Sequence, residues 1–120
     1  MKGILILAHG SREKSTEETL AEIMELLKEE LKDCLIETAY LQFSGNNLEA
    51  GLDRLAAQGA KDIKVVPYFL FDGIHIREDI PGEIEAYLDS HKDMKITLGR
   101  TLGADRRLAL ILADRVREAL

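Results

Sequence analysis

Gly3-Ile4-Leu5-Ile6-Leu7-Ala8 is a run without polar alternation. Such a run predicts a strand buried on both faces, as in a parallel sheet. Behind it, Leu20, Ile23, Met24, Leu27 and Leu31 recur at helical spacing, giving one apolar stripe with charges opposite. Ser15-Thr16-Glu17-Glu18 ahead of that stripe reads as a capping box, in which the Ser15 hydroxyl and the Glu18 carboxylate satisfy free backbone N–H groups. Residues 35–41 predict a second strand. Asn46 or Asn47 can cap a short helix bearing Leu48, Leu52 and Leu55, and Gly59 is its natural left-handed stop. A third strand is expected over about 63–71 and a fourth near 94–98. A helix near 80–90 carries Ile80, Ile84 and Leu88 on one face, with Pro81 tolerated in its first turn. A last helix spans about 105–119.

Strand alternating with helix predicts the α/β class. The expected architecture is a single three-layer α/β/α domain over residues 1–120, with a mainly parallel four-stranded sheet, right-handed crossovers and flavodoxin-like winding. Pro67 resists this pattern, because proline cannot donate to a ladder, and a bulge or a locally open edge is expected there. The last helix is unusual: Leu108, Ala109, Leu110, Ile111, Leu112 and Ala113 are apolar all round, which predicts burial on every side. In so short a chain a second copy is the simplest cover, so a homodimer is expected; the alternative is that neighbouring loops fold over the helix.

Charge and cysteine usage narrow the function classes. Lys plus Arg is 16 and Asp plus Glu is 22, a formal charge of 16 − 22 = −6. That balance argues against nucleic acid as a partner, yet leaves an anionic small ligand open, since a few local cations decide that. Cys34 is the single cysteine and has no internal disulfide partner, as suits a reducing cytoplasm; burial as a small apolar residue is the plain expectation for it. No apolar run approaches the roughly 18–20 residues that span a bilayer, and the start lacks signal-peptide patterning. No membrane association and a cytoplasmic location are therefore expected.

The candidate chemistry lies at strand ends. His9 follows the first strand and His75 follows the third. In open α/β sheets the carboxyl ends of parallel strands border one ligand crevice. Imidazole is both the commonest metal ligand and the readiest proton carrier near neutral pH. Either histidine taken singly is as easily a turn-closing residue, but two at equivalent strand ends point to a site for a metal, a proton, or both. Gly10 permits a tight turn beside His9, with Ser11, Arg12 and Lys14 close in sequence. Gly73 permits close backbone approach in Leu70-Phe71-Asp72-Gly73-Ile74-His75, and Arg77 follows. Gln42, Ser44 and Gly45 form the turn after the second strand and should border the same crevice. Phe43, Phe69 and Phe71 read plainly as core and more sharply as a wall for a flat ligand. His91 reads as solvated surface. There is no Gly-rich phosphate loop, no Cys/His cluster with zinc spacing and no Gly-x-Ser-x-Gly elbow.

Ala8-His9-Gly10-Ser11-Arg12 after the first strand, together with Val65-Val66-Pro67-Tyr68-Phe69-Leu70-Phe71-Asp72-Gly73-Ile74-His75-Ile76-Arg77-Glu78-Asp79-Ile80-Pro81, resembles the short-form sirohydrochlorin cobaltochelatases, class II chelatases of the CbiX type. The resemblance runs through essentially the whole chain, and the second block is its specific part. It implies ATP-independent insertion of Co²⁺ into sirohydrochlorin on the anaerobic route to cobalamin. Archaeal members also resemble enzymes that insert Ni²⁺ toward coenzyme F430. No prosthetic group is implied, because the metal is a substrate. Carried over by position, His9 is metal ligand and proton acceptor and His75 the second metal ligand. Gly45 and the turn Leu70, Phe71, Asp72, Gly73, Ile74 and His75 contact the tetrapyrrole. Its carboxylates call for local cations, for which Arg12, Lys14, Arg77 and Arg100 are candidates, Arg12 first. Larger chelatases have two similar lobes around a cleft, so a short member is one lobe and a homodimer restores the pair. One departure stands out: related chelatases often carry glutamate where this chain has Gln42, and glutamine cannot serve as a base. Two other readings remain at this point. Histidine phosphatases also place a His-Gly pair after the first strand, but usually with arginine where Ala8 stands here; a non-catalytic metal or tetrapyrrole carrier is the other.

Overall fold

The computed structural model describes the backbone of all 120 residues and every side chain except those of His75 and Ile76. Strands β1 (Lys2–Ala8), β2 (Cys34–Tyr40), β3 (Asp62–Pro67) and β4 (Lys95–Leu98) form one parallel sheet in the order β2-β1-β3-β4. Helices α1 (Lys14–Glu30), α2 (Leu48–Ala57), α3 (Ile80–Asp89) and α4 (Arg106–Ala119) alternate with them, and a π-helical turn, His75–Asp79, leads into α3. The chain steps from β1 outward to β2, returns across β1 to β3, and continues outward to β4. The winding therefore reverses between β1 and β3, and the carboxyl ends of those two strands flank the natural ligand crevice of such a sheet.

The pleat explains why β1 is apolar throughout. Leu5 and Leu7 point to the face covered by α2 and α3, where they join Leu52, Leu55, Ile63, Val65, Ile80 and Ile84. Ile6 and Ala8 point the other way and pack with Leu20, Met24 and Tyr40 under α1. The two cores thus make three layers with the sheet in the middle. Gly51 lets α2 lie close to the sheet, because a Cβ there would stand 2.6 Å from Leu5 Cδ1. Asn47 caps α2 by accepting a hydrogen bond from Ala50 N at 3.0 Å, and Gly59 ends it in the left-handed region at φ +94°.

Three local expectations are corrected. The capping box at Ser15 is not formed: α1 begins two residues earlier than that cap implies, its N-cap is Glu13 without a side-chain cap, and Ser11 Oγ accepts from Glu13 N at 3.0 Å. The serine ahead of the helix thus takes the local bond before Ser15 is reached. The third strand stops at Pro67 rather than continuing to residue 71, and of the bulge and the locally open edge expected there the structure has the open edge. Val65 O accepts from Gly99 N and Tyr68 N donates to Leu7 O, so the absent Pro67 N–H faces the β4 side, where the ladder has already ended at Leu98. Cys34 is half-buried at the start of β2 rather than fully enclosed.

For α4 the structure excludes one of the two expected covers. No residue of this helix is buried, and Leu110, Ile111, Leu112 and Val116 are all at least half exposed, so loops of the same chain do not fold over it. Its projection stretches the molecule to 54 Å along one axis, against 32 and 27 Å on the others. The radius of gyration is 15.3 Å, whereas a compact chain of this length is expected at about 13.6 Å. Among the described residues, no helix is long and apolar enough to cross a membrane.

Candidate functional site

The turns after β1, β2 and β3 are tied together at the reversal of the winding. Leu41 N donates to Ala8 O at 3.0 Å, Gln42 N to His9 O at 3.1 Å, and Tyr68 N to Leu7 O at 2.8 Å. These bonds extend the ladders by a residue or two and hold His9 on a fixed backbone, with its imidazole exposed. The ring meets the edge of Phe69 in a T-shaped contact, with centroids 5.7 Å apart and planes at 70°. His9, Gly10 and Tyr68 border an open cleft of about 430 Å³. Its opposite wall is the first turns of α1, which present the Ser15, Thr16 and Thr19 hydroxyls above Leu20 and Ile23.

Gly10 is needed for two reasons. Its φ is +93°, a region most L-residues avoid, and a Cβ would stand 2.0 Å from Gln42 O. The β2 turn therefore sits against the residue that follows His9. That turn is closed by Tyr40 N donating to Asn46 O at 2.8 Å, Asn46 N to Ser44 Oγ at 3.0 Å, and Asn46 Nδ2 to Thr38 O at 3.1 Å. Within it, Phe43 has φ +58°. A left-handed conformation costs a non-glycine residue roughly 1–2 kcal/mol, and the surrounding bonds hold it there. The Phe43 ring is 53% exposed, and the Arg12 guanidinium lies over it at 4.8 Å from the centroid. The core expectation for Phe43 is therefore corrected, as it is for Phe71, which is 76% exposed; Phe69 packs partly into the core as expected.

Residues 68–73 leave β3 as an irregular loop, and its outer side with the start of the following turn is apolar: Leu70, Phe71 and Ile74 are exposed. The segment after β4 braces this loop. Leu102 N donates to Phe69 O at 2.9 Å and Gly103 N to Leu70 O at 3.0 Å. The Thr101 hydroxyl, buried in the fold, donates to Asp72 Oδ1 at 2.9 Å. Gly73 and Gly45 meet nothing that would crowd a Cβ, so neither is required by a close neighbour within the chain. Leu70 also borders a larger hollow of about 780 Å³ shared with α4 and the Gly103–Arg106 segment.

The expected site residues are thus divided. His9, Arg12 and the β2 turn with Gln42 and Gly45 gather at the carboxyl ends of β1 and β2. Leu70, Phe71, Asp72, Gly73 and Ile74 gather at the carboxyl end of β3, toward α4. His75 opens the π-helical turn at that same end; its side chain, and with it the expected second metal ligand, lies outside the described residues. Among the described residues no group of three or more His, Cys, Asp or Glu converges as a metal site. The wall of Ser15, Thr16 and Thr19, and Tyr68 opposite, were not anticipated. Their spacing, 15, 16 and 19, puts all three hydroxyls near one helical face, which is the signal the sequence carries for this wall. Thr101 carried no local signal at all. His91 is not simply solvated: it stacks on Tyr87 at 3.9 Å with planes 5° apart, and its Nδ1 lies 2.8 Å from Tyr87 O.

The CbiX family model matches residues 3–119. The chain belongs to that family. It is 32% identical over 120 residues to the sirohydrochlorin cobaltochelatase of Sulfurisphaera tokodaii, covering all of this chain and 95% of that one. It is 30% identical over 118 residues to the sirohydrochlorin ferrochelatase of Priestia megaterium, spanning 98% of this chain but 44% of the longer protein. The crystal structure of the sirohydrochlorin chelatase SirB from Bacillus subtilis subspecies spizizenii in complex with cobalt superposes with a TM-score of 0.90 at 29% identity, over 98% of this chain and 51% of that one. The CbiX fold is thus present here as one unit of the size that fills a short relative and about half of a long one.

Proposed function

We propose that this chain is an ATP-independent sirohydrochlorin chelatase that inserts Co²⁺, with Ni²⁺ as a second metal substrate, and that His9 is its metal ligand and proton acceptor. The observation that carries the proposal is His9 itself. Its exposed imidazole stands on a backbone fixed by neighbouring turns, beside an open cleft at the β1/β3 reversal. Insertion requires a partly desolvated M²⁺, removal of two pyrrole protons, and a macrocycle whose nitrogens face the metal. Imidazole holds cobalt or nickel firmly enough to strip water and loosely enough to release. A positioned base contributes about 10²–10⁴-fold to proton transfer. Both tasks need the neutral ring.

In this reading His75 is the second metal ligand, and the apolar turn Leu70–Ile74 and the Gly45 turn receive the flat faces and edges of sirohydrochlorin. Arg12 meets its carboxylates. Two copies join in a homodimer through α4, whose exposed Leu110, Ile111, Leu112 and Val116 form an apolar surface with no cover in the single chain. Gln42 accepts hydrogen bonds but no proton, so no third base is assigned at the β2 turn.

The test is anaerobic insertion with Co²⁺, Ni²⁺ and Fe²⁺ in turn, followed by the visible absorbance of the tetrapyrrole. Insertion faster than in buffer is expected, and it is nearly abolished in His9→Ala while the circular dichroism spectrum is unchanged. A wild-type rate equal to buffer identifies a carrier rather than an enzyme; full turnover by His9→Ala removes His9 from the chemistry.

A further inference from the structure

We infer that Phe43 is a positioning residue that holds the Arg12 guanidinium over its ring, on the turn that follows His9, where it selects for a polycarboxylate ligand. The inference rests on the chelatase reading of the same site and adds to it the residue that presents the cation.

Three observations carry it. First, Phe43 occupies the left-handed region at φ +58°, whereas such positions are ordinarily filled by glycine or asparagine. Strain of this kind persists when the surrounding structure over-determines it, and it concentrates at functional sites. Here the frame comes from the bonds that close the turn around Asn46 and dock it on Ala8 and His9. Second, the left-handed backbone leaves the ring half exposed instead of buried, with Arg12 over its face at 4.8 Å. A core phenylalanine would gain more from burial, so the exposed ring needs another reason. Third, the Arg12 charge is not spent on a carboxylate, unlike that of four other arginines. Arg54, Arg107, Arg115 and Arg117 each pair with a carboxylate. Among the described residues Arg12 has no ion pair, and its guanidinium lies over the Phe43 ring. A quadrupole holds a guanidinium without neutralising it, so the charge stays available. In a chain of net charge −6, a cation presented in this way beside the His9 turn is directed at an anion.

The chemistry this favours is a carboxylate on the rim of a flat ligand that occupies the cleft. The ring orients the guanidinium for bidentate contact with that carboxylate. The contribution is to binding and not to bond making, so it belongs in KM.

The decisive comparison uses the full chain as wild type, Phe43→Gly, Phe43→Tyr, Arg12→Gln and the Phe43→Gly/Arg12→Gln double variant. Each is assayed for urea stability, for KM and kcat in Co²⁺ insertion, and for binding of uroporphyrin, an octacarboxylate, by fluorescence quenching. Phe43→Gly is expected to be at least as stable as wild type, because glycine relieves the strain, yet to raise KM and the uroporphyrin Kd about fivefold, with kcat within about twofold. Phe43→Tyr keeps the ring and restores wild-type values. Removing the ring in the Arg12→Gln background produces no further rise, since the two act as one unit. Unchanged KM and Kd in Phe43→Gly, or an equal rise with and without Arg12, overturns the inference. If the wild type fails to insert metal, the chelatase reading falls, and uroporphyrin binding across the same variants still decides the role of Phe43.

Discussion

Replacing Gly10 by alanine tests how the site is built, because the structure separates the two costs of that change. The first is backbone strain at φ +93°, worth roughly 1–2 kcal/mol. The second is collision: the new Cβ would stand 2.0 Å from Gln42 O, about 1 Å inside the closest ordinary approach. The β2 turn has to retreat, and the bonds from Leu41 N to Ala8 O and from Gln42 N to His9 O are lost, each worth about 0.5–1.5 kcal/mol. The sum is about 2–5 kcal/mol, within the 5–15 kcal/mol typical of a folded domain, so the variant folds. Gly59→Ala is the matched control: its φ is +94°, but nothing lies within reach of a Cβ, so it bears the strain alone. Urea unfolding of both variants measures the difference at constant m-value, and the insertion assay measures its effect on the site. Gly10→Ala should lose about 1–3 kcal/mol more than Gly59→Ala and most of its activity, while Gly59→Ala stays active. Equal destabilisation of the two, or full activity in Gly10→Ala, would refute the docking of the β2 turn on the His9 backbone as the element that shapes the cleft.

Three further outcomes are expected. Thr101→Val keeps the shape of the side chain but removes the donor to Asp72; stability should fall by about 0.5–1.5 kcal/mol and KM should rise through a loosened Leu70–Ile74 turn, with Thr101→Ser retaining both. Leu110→Lys combined with Leu112→Lys should convert a dimer into a monomer by analytical ultracentrifugation, and a wild type that sediments as a monomer at high concentration would dismiss α4 as an interface. Burial and the Asp53 carboxylate, which accepts from Tyr87 Oη at 2.8 Å, raise the Tyr87 phenol well above its ordinary value of 10.0. The folded state therefore keeps a proton that the unfolded state loses, so the stability from Tyr87 is complete below about pH 10 and declines as pH rises beyond it. Urea midpoints between about pH 8 and 11 should show that decline, and Tyr87→Phe should flatten it; the part that remains belongs partly to Tyr40, also raised by burial and by Glu17.

Much of the fold was readable locally because its signals are local. The unbroken apolar run of β1 demanded two covered faces, the Leu20–Leu27 stripe demanded one, and Asn47 and Gly59 marked the ends of α2 through bonds and dihedrals within a few residues. The two histidines stood out for a local reason too, although only His9 directly follows its strand; His75 comes eight residues after β3 ends at Pro67. Some local signals misled: Ser15 read as a helix cap, but it lies inside α1, which starts at Lys14 without a side-chain cap.

What the amino-acid order determined by itself was therefore the alternation of elements, the faces they bury and the residues delivered to the strand ends. Tertiary structure decided the rest, since those outcomes depend on partners far away in the chain. Pro67 could end β3 without a bulge because β4 stops at Leu98. Gly10 is obligatory because Gln42 O lies against it, the Thr101 hydroxyl is satisfied by Asp72, and Phe43 is held left-handed by a turn anchored on β1. The apolar α4 remained uncovered because hydrophobic pattern states that a face must be buried but not by which chain. A non-local contact costs chain entropy and is settled by the whole packing arrangement, so no window of neighbouring residues encodes it.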